Sequence, residues 1–251
     1  MTDHIKIARE GRVLALTISR PDKKNALTHT MYSALADGLA EAHANSQIRC
    51  VIITGEGEFF TSGNDVGDFA AGMPEGKPPV VRFLENIVNC DKPVMAAVNG
   101  PAIGVGLTML LHCDLVYASE AATFRSPFPH VGVVPEAGSS LLLPMTVGNA
   151  WANDIFIAGR VLNATEALSA GLISRVFPAS SLMDECRKIA GVVAAQAPNA
   201  MLQTKRLVRS NRGEIFVRMK KEGAVFNEQL KSPEFMAAAT AYMQKRLPDF
   251  D

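Results

Sequence analysis

The chain has 251 residues, enough for one large domain with an appendage and a substantial buried core. Its 25 Lys plus Arg balance 25 Asp plus Glu. That zero formal charge argues against a general nucleic-acid or membrane-surface role, which leaves a basic excess. Cys50, Cys90, Cys113 and Cys186 are scattered, with no CxxC and no Cys/His cluster, so buried free thiols are expected rather than disulfides or a metal site. The start, Met1 to Lys6, lacks an apolar signal stretch and the arginines of a transit peptide. The end, Leu247 to Asp251, is not a Ser-Lys-Leu peroxisomal address. Apolar runs such as Leu141–Met145 fall far short of the ~18 to 20 residues that span a bilayer. A soluble, reduced, cytoplasmic protein is expected, with neither membrane nor nucleic-acid partner.

In chain order, Ile5–Arg9 and Arg12–Ser19 alternate with period 2 around a Glu10-Gly11 turn and predict two strands. Thr28 is placed to cap a helix running to about Asn45, with Met31, Leu35 and Leu39 on one face. Cys50–Thr54, Val94–Val98 and Leu115–Ala118 are continuously apolar, as buried parallel strands are, and helices between them imply right-handed crossovers. Asp65–Pro79, rich in Gly and Pro, predicts a mobile loop with at most a short helix. Beyond about Ser180, only helices are expected: Ser180–Gln196, Ala200–Arg209, Val217–Leu230 and Pro233–Arg246, the last opened by Ser232 with proline at its first position. The fold class is α/β, with an all-helical tail. Low-complexity segments and fixed-period repeats are absent from the sequence.

Four stretches carry the chemistry. They are Arg20-Pro-Asp-Lys-Lys-Asn-Ala-Leu27, Phe59-Phe-Thr-Ser-Gly-Asn-Asp65, Val94-Met-Ala-Ala-Val-Asn-Gly-Pro-Ala-Ile-Gly-Val-Gly106 and Phe124-Arg-Ser-Pro-Phe-Pro-His-Val-Gly-Val-Val-Pro-Glu-Ala-Gly-Ser-Ser140. In the third, a buried strand runs into a glycine-rich turn with a helix starting near Gly104. Glycines let backbone approach a ligand, and first-turn N–H groups face an anion. A dinucleotide site, an oxyanion hole and plain helix-on-strand packing all fit such a turn. The dinucleotide reading fails on context, because that loop belongs after the first strand. The Tyr-x-x-x-Lys of short-chain dehydrogenases is missing too, since Ala36, Ala121 and Arg246 follow Tyr32, Tyr117 and Tyr242 at that spacing.

Together the four stretches resemble the crotonase (enoyl-CoA hydratase/isomerase) superfamily from about Arg9 to Pro178, including Phe156 to Val176. The resemblance implies a spiral of ββα units over 1–195, a C-terminal helical trimerisation region over 196–251, and acyl-CoA thioester substrates. It implies no tightly bound cofactor and no metal, coenzyme A entering as part of the substrate, and a homotrimer or hexamer. Apolar tail residues such as Ile189, Val192, Val193, Leu202 and Leu207 suit such an assembly. The backbone N–H groups of Asn64 and Val105 fall where the family grips the thioester oxygen. Two preorganised donors there stabilise an enolate, each worth on the order of 3 kcal/mol. Lys23 and Lys24 fall where CoA phosphates bind, with Asn25, Ala26 and Leu27 at the adenine end. Ser62 and Asp65 also fall among the CoA-binding positions, although Asp65 by its own chemistry suits capping of the local turn.

Departures from the family pattern select the reaction. The two hydratase glutamates correspond to Thr108 and Phe128, neither of which can activate water. Glu136, after Pro135, lies where several isomerases of the superfamily carry the carboxylate that shuttles a proton between C2 and C4. Phe128, Val133, Val134 and Pro135 would desolvate it and raise its pKa. Pro-Glu also opens many ordinary helices, where the acid merely complements the helix dipole and its pKa falls. The expectation is a Δ3-Δ2-enoyl-CoA isomerase of fatty-acid or related acyl-CoA degradation. A hydratase, another crotonase-type lyase or hydrolase, and a non-catalytic binding or scaffold protein are the alternatives. His130 is expected to be packed or on the surface rather than to titrate.

Overall fold

A computed structural model describes residues 3–65, 67–68, 75–244 and 246–250. β1 (Ile5–Glu10) and β2 (Val13–Ile18) form an antiparallel hairpin in register Glu10 to Val13. β2 then leads a parallel series with β3 (Cys50–Gly55), β4 (Val94–Val98), β6 (Leu115–Ser119) and β9 (Arg175–Phe177), in the order β1-β2-β3-β4-β6-β9. A small second sheet joins β5 (Ala102–Ile103), β7 (Thr123–Arg125) and β8 (Leu162–Asn163). These two- and three-residue strands escape a periodicity search because alternation needs a run of about four residues to show.

The continuously apolar strands have two buried faces, which alternate with the pleat. Val51, Ile53, Val94, Ala96 and Val98 enter the main core under the helix His29–Ala44. Cys50, Ile52, Met95, Ala97 and Tyr117 point the other way, against Leu182, Cys186 and Ala190 of the helix Leu182–Ala195. All four cysteines are buried free thiols. The helix His29–Ala44 begins as expected, with the Thr28 hydroxyl accepting from Met31 N. Its partner helix Pro79–Asn89 is tied to it by Arg82 on Asp37 at 2.8 Å and by Asn86 Nδ2 on the Ala36 carbonyl at 2.8 Å.

The tail is helical over Leu182–Ala195, Pro198–Val208, Arg212–Gln229 and Pro233–Met243. The third of these starts five residues before the expected Val217, because Ile215 is drawn into the main core and carries the helix back to Arg212. Buried Lys205 fastens the tail to the start of β6, giving 2.6 Å to Asp114 and 2.7 Å to the Lys92 carbonyl. Arg212 adds 2.9 Å to Asp91. Of the loop expected over 65–79, residues 66 and 69–74 lie outside the described residues.

Candidate active site

The glycine-rich turn after β4 uses two of its glycines for different structural reasons. A Cβ at Gly100 would sit 1.8 Å from the Glu58 carbonyl oxygen, so this glycine serves close packing. Gly104 instead adopts φ +59 and ψ −119, a backbone that side chains resist, and turns the chain into a short helix over Val105–Thr108. That helix is one turn long and continues as 3-10 geometry to His112.

The second chemical stretch runs alongside this turn. Thr61 N donates to the Pro101 carbonyl and Ile103 N to the Thr61 carbonyl, at 3.2 and 3.0 Å. On its other side, Leu27 N donates to the Gly63 carbonyl and Asp65 N to the Leu27 carbonyl, at 2.8 and 2.9 Å. In that parallel bridge, the N–H of Asn64 points away from Leu27. Among the described residues, no acceptor pairs with the N–H of Asn64 or of Val105. The Asn64 side chain is held by the phenol of fully buried Tyr32, whose O–H donates to Asn64 Oδ1.

Glu136 stands close by. The hydroxyl of fully buried Thr108 donates to Glu136 Oε1 at 2.5 Å. Protein surrounds the carboxyl deeply, while the residue as a whole keeps some accessible surface. Burial pushes its pKa up to about 7. The Thr108 hydrogen bond opposes that rise and the Glu222 carboxylate reinforces it. Tyr32 is raised well above the ordinary phenol range, first by burial and then by the charge of Glu136. Of the apolar residues expected to desolvate it, Phe128 and Val133 are buried, the Phe128 ring centroid lying 6.4 Å from that of Phe156.

The expected helix start at Pro135-Glu136 is corrected. Ala137 and Gly138 both take left-handed backbone, φ 63 and 73, and the helix begins only at Ser139. Glu136 therefore precedes the helix instead of sitting in its first turn, and the dipole contribution that would lower its pKa is weakened. His112 Nε2 donates to the Ala137 carbonyl at 2.7 Å, while burial lowers its pKa to about 4, so it is neutral. Neither His112 nor Glu222 nor Tyr32 carries a motif in the sequence. Their only signal is a polar group within an apolar stretch or helix.

The remaining sequence-predicted residues lie along the first two stretches. Lys23 and Lys24 are exposed on a 3-10 turn, with Lys24 Nζ 5.4 Å from the centre of the Phe59 ring. Asn25 is buried and internally satisfied, donating to the carbonyls of Glu56 and Phe59 at 2.9 and 2.6 Å. Leu27 has its side chain in the main core, whereas Ala26 and Ser62 are half-buried. Asp65 accepts from Gly67 N at 2.9 Å and Asp68 N at 3.2 Å, the capping role expected of it. It also pairs with Arg20 at 2.6 Å; partial burial pushes its pKa up, but the Arg20 hydrogen bond and charge and the Asp68 and Gly67 amides together outweigh that and hold it low. His130 is exposed. No cluster of metal-ligating side chains occurs among the described residues, and no described helix is long and apolar enough to cross a membrane.

A ββα spiral with a helical tail, in which a glycine turn and a buried carboxyl come together, defines a protein of the crotonase superfamily. The family model for enoyl-CoA hydratase/isomerase matches residues 8–251, and the chain belongs to that family. A solved enoyl-CoA hydratase/isomerase from Pseudoalteromonas atlantica T6c superposes with a TM-score of 0.96 at 54% identity, covering 99% of this chain and all of that one. Rat enoyl-CoA delta isomerase 2 is 38% identical over 84% of this chain, which spans 55% of that longer relative. The 2,3-dehydroadipyl-CoA hydratase of Escherichia coli K12 is 32% identical over 97% of both chains.

Proposed function

We propose that the chain moves a carbon–carbon double bond between C3 and C2 of an acyl-CoA thioester, with Glu136 as the only acid/base. Glu136 takes the C2 proton of a 3-enoyl-CoA and returns it at C4. The electron pair passes through the thioester oxygen, held by the N–H groups of Asn64 and Val105. The observation that carries this reading is a single carboxyl group held near neutrality, about 7, beside a threonine. One base whose pKa matches the working pH suffices to lift and return one proton. Water addition needs a second positioned group, and Thr108 and Phe128 occupy the places that would supply it. Coenzyme A would lie along Lys23, Lys24, Ala26, Leu27, Ser62 and Asp65, and the assembly would be a trimer or a pair of trimers. The hydratase relative aligned over nearly the whole chain makes hydration the second reading.

A panel of 3-enoyl-CoA and 2-enoyl-CoA substrates, followed in one cuvette for isomerisation and hydration, tests the two against each other. Glu136→Gln should reduce isomerisation by roughly 100- to 10,000-fold, towards the upper part of that range because one group serves both transfers. Glu136→Asp should keep partial activity, since a ~1 Å withdrawal costs roughly 100-fold. Parental isomerisation by Glu136→Gln would put the base elsewhere. Hydration alone in the parent would overturn the reaction assigned.

A further inference from the structure

We infer that Glu222, on the tail helix Arg212–Gln229, is a positioning residue that holds the bend after Glu136 and so aims the Glu136 carboxyl. The inference rests on the reading of Glu136 as the base.

Two residues after Glu136, the backbone does something that needs outside support. Ala137 is a non-glycine residue at φ 63 and Gly138 follows at φ 73, so two left-handed residues stand in series. Such a bend persists only where the surroundings over-determine it. Glu222 supplies much of that support. Its Oε2 accepts from Gly138 N at 2.5 Å and its Oε1 from Ser140 N at 2.9 Å. One carboxyl group thereby satisfies both donors of the turn, and only the ionised form offers both oxygens purely as acceptors. Arg218, one helical turn earlier, reaches Ser140 Oγ at 3.3 Å. Ile215 and Met219 leave no ample space for a side chain at Gly138, where a Cβ would lie 3.2 and 3.4 Å from their nearest atoms. From the opposite side, His112 fastens the Ala137 carbonyl.

The bend is thus clamped between the glycine-turn region and the tail, with Glu136 at its free end. Glu222 is itself buried, so its charge acts on Glu136 with little intervening water. The other groups bearing on this pair are few. Tyr32 and the Thr108 hydroxyl face Glu136, neutral His112 holds Ala137, and Arg218 lies beside Glu222. Because the Glu222 charge raises the Glu136 pKa, its loss lowers that pKa.

Glu222→Gln keeps the shape but presents an NH2 group to one of the two donors and removes the charge. The expected result is a kcat lowered roughly 10- to 100-fold with KM for the acyl-CoA within about twofold, because CoA is held elsewhere. The acidic limb of kcat/KM should move to lower pH, and Glu222→Asp should restore its position in part. A merely structural glutamate would lower thermal stability and leave the limb where it was. A folded Glu222→Gln enzyme with an unmoved limb and kcat within twofold of the parent overturns the inference. Should Glu222→Gln not fold, the unaltered protein labelled with 13C at its glutamate carboxyls decides. The Glu136 resonance should then show a second inflection as Glu222 titrates, and a single-step curve overturns the inference. Glu136→Gln separates this from the underlying reading. Full activity there removes the base itself, whereas an inactive Glu136→Gln beside an unaffected Glu222→Gln removes only the role given to Glu222.

Discussion

The hydroxyl of Thr108 donates to Oε1 of Glu136 at 2.5 Å, a side chain on a one-turn helix reaching a carboxyl that precedes the next long helix. The bond favours the ionised form and holds back the rise that burial imposes. Thr108→Val keeps the shape and removes the donor. The Glu136 pKa should climb further, so the acidic limb of kcat/KM should move to higher pH. At neutral pH, loss of a hydrogen bond to a charged group should cost about tenfold or more in rate. Initial rates over a pH series check this, and a limb that stays in place would show that the hydroxyl does not reach the carboxylate.

Glu136 should also weaken the fold as pH rises. Its pKa goes from the ordinary 4.5 to about 7 on folding, so the folded chain holds the proton more tightly than the unfolded one. Below about pH 4.5 both states are protonated and no penalty exists. Between there and neutrality the penalty grows, reaching on the order of 3 kcal/mol above the folded pKa. Glu136→Gln, neutral throughout, should match the parent near pH 4.5 and exceed it by roughly 2 to 3 kcal/mol at pH 8. Denaturant unfolding at the two pH values measures the difference. Parallel stability curves would mean that the carboxyl is not desolvated.

Lys23 and Lys24 are exposed, and no carboxylate among the described residues forms an ion pair with either. Replacing both with Ala should raise KM for acyl-CoA several-fold, roughly 5 to 30, with little change in kcat. Raising the salt concentration should shrink that difference. Michaelis curves for parent and variant at two ionic strengths suffice, and an unchanged KM would move the phosphate contacts elsewhere.

The tail keeps apolar side chains in solvent: Leu207, Val208 and Val217 are 77, 74 and 72% exposed, and Val192 is 62% exposed. Ile189 and Val193 instead pack on the second core, so only part of the apolar set read from the sequence remains available to neighbours. A trimer or hexamer is expected, dissociating when Leu207 and Val208 are both replaced with Glu. Sedimentation of the parent as a monomer at micromolar concentration would contradict this.

The parallel strands, the Thr28 cap and the glycine turn follow from short-range patterns: alternation, continuous apolar runs, and a residue type suited to its own backbone. Each is visible because neighbours in sequence impose it. The four-stretch pattern likewise singles out Glu136, Asn64 and Val105 as candidates from sequence alone. The state of Glu136 has no such local origin. Pro-Glu opens helices in many chains, and nothing near it announces that Ala137 and Gly138 bend left-handed or that the helix waits until Ser139. That bend is held by Glu222, 84 residues beyond Gly138, and by His112 from the other side. The proton affinity of Glu136 depends on how completely distant side chains displace water around it. Burial and hydrogen bonding across the fold are sums over neighbours that only the tertiary structure brings together, so they decide what kind of acid the sequence's glutamate becomes.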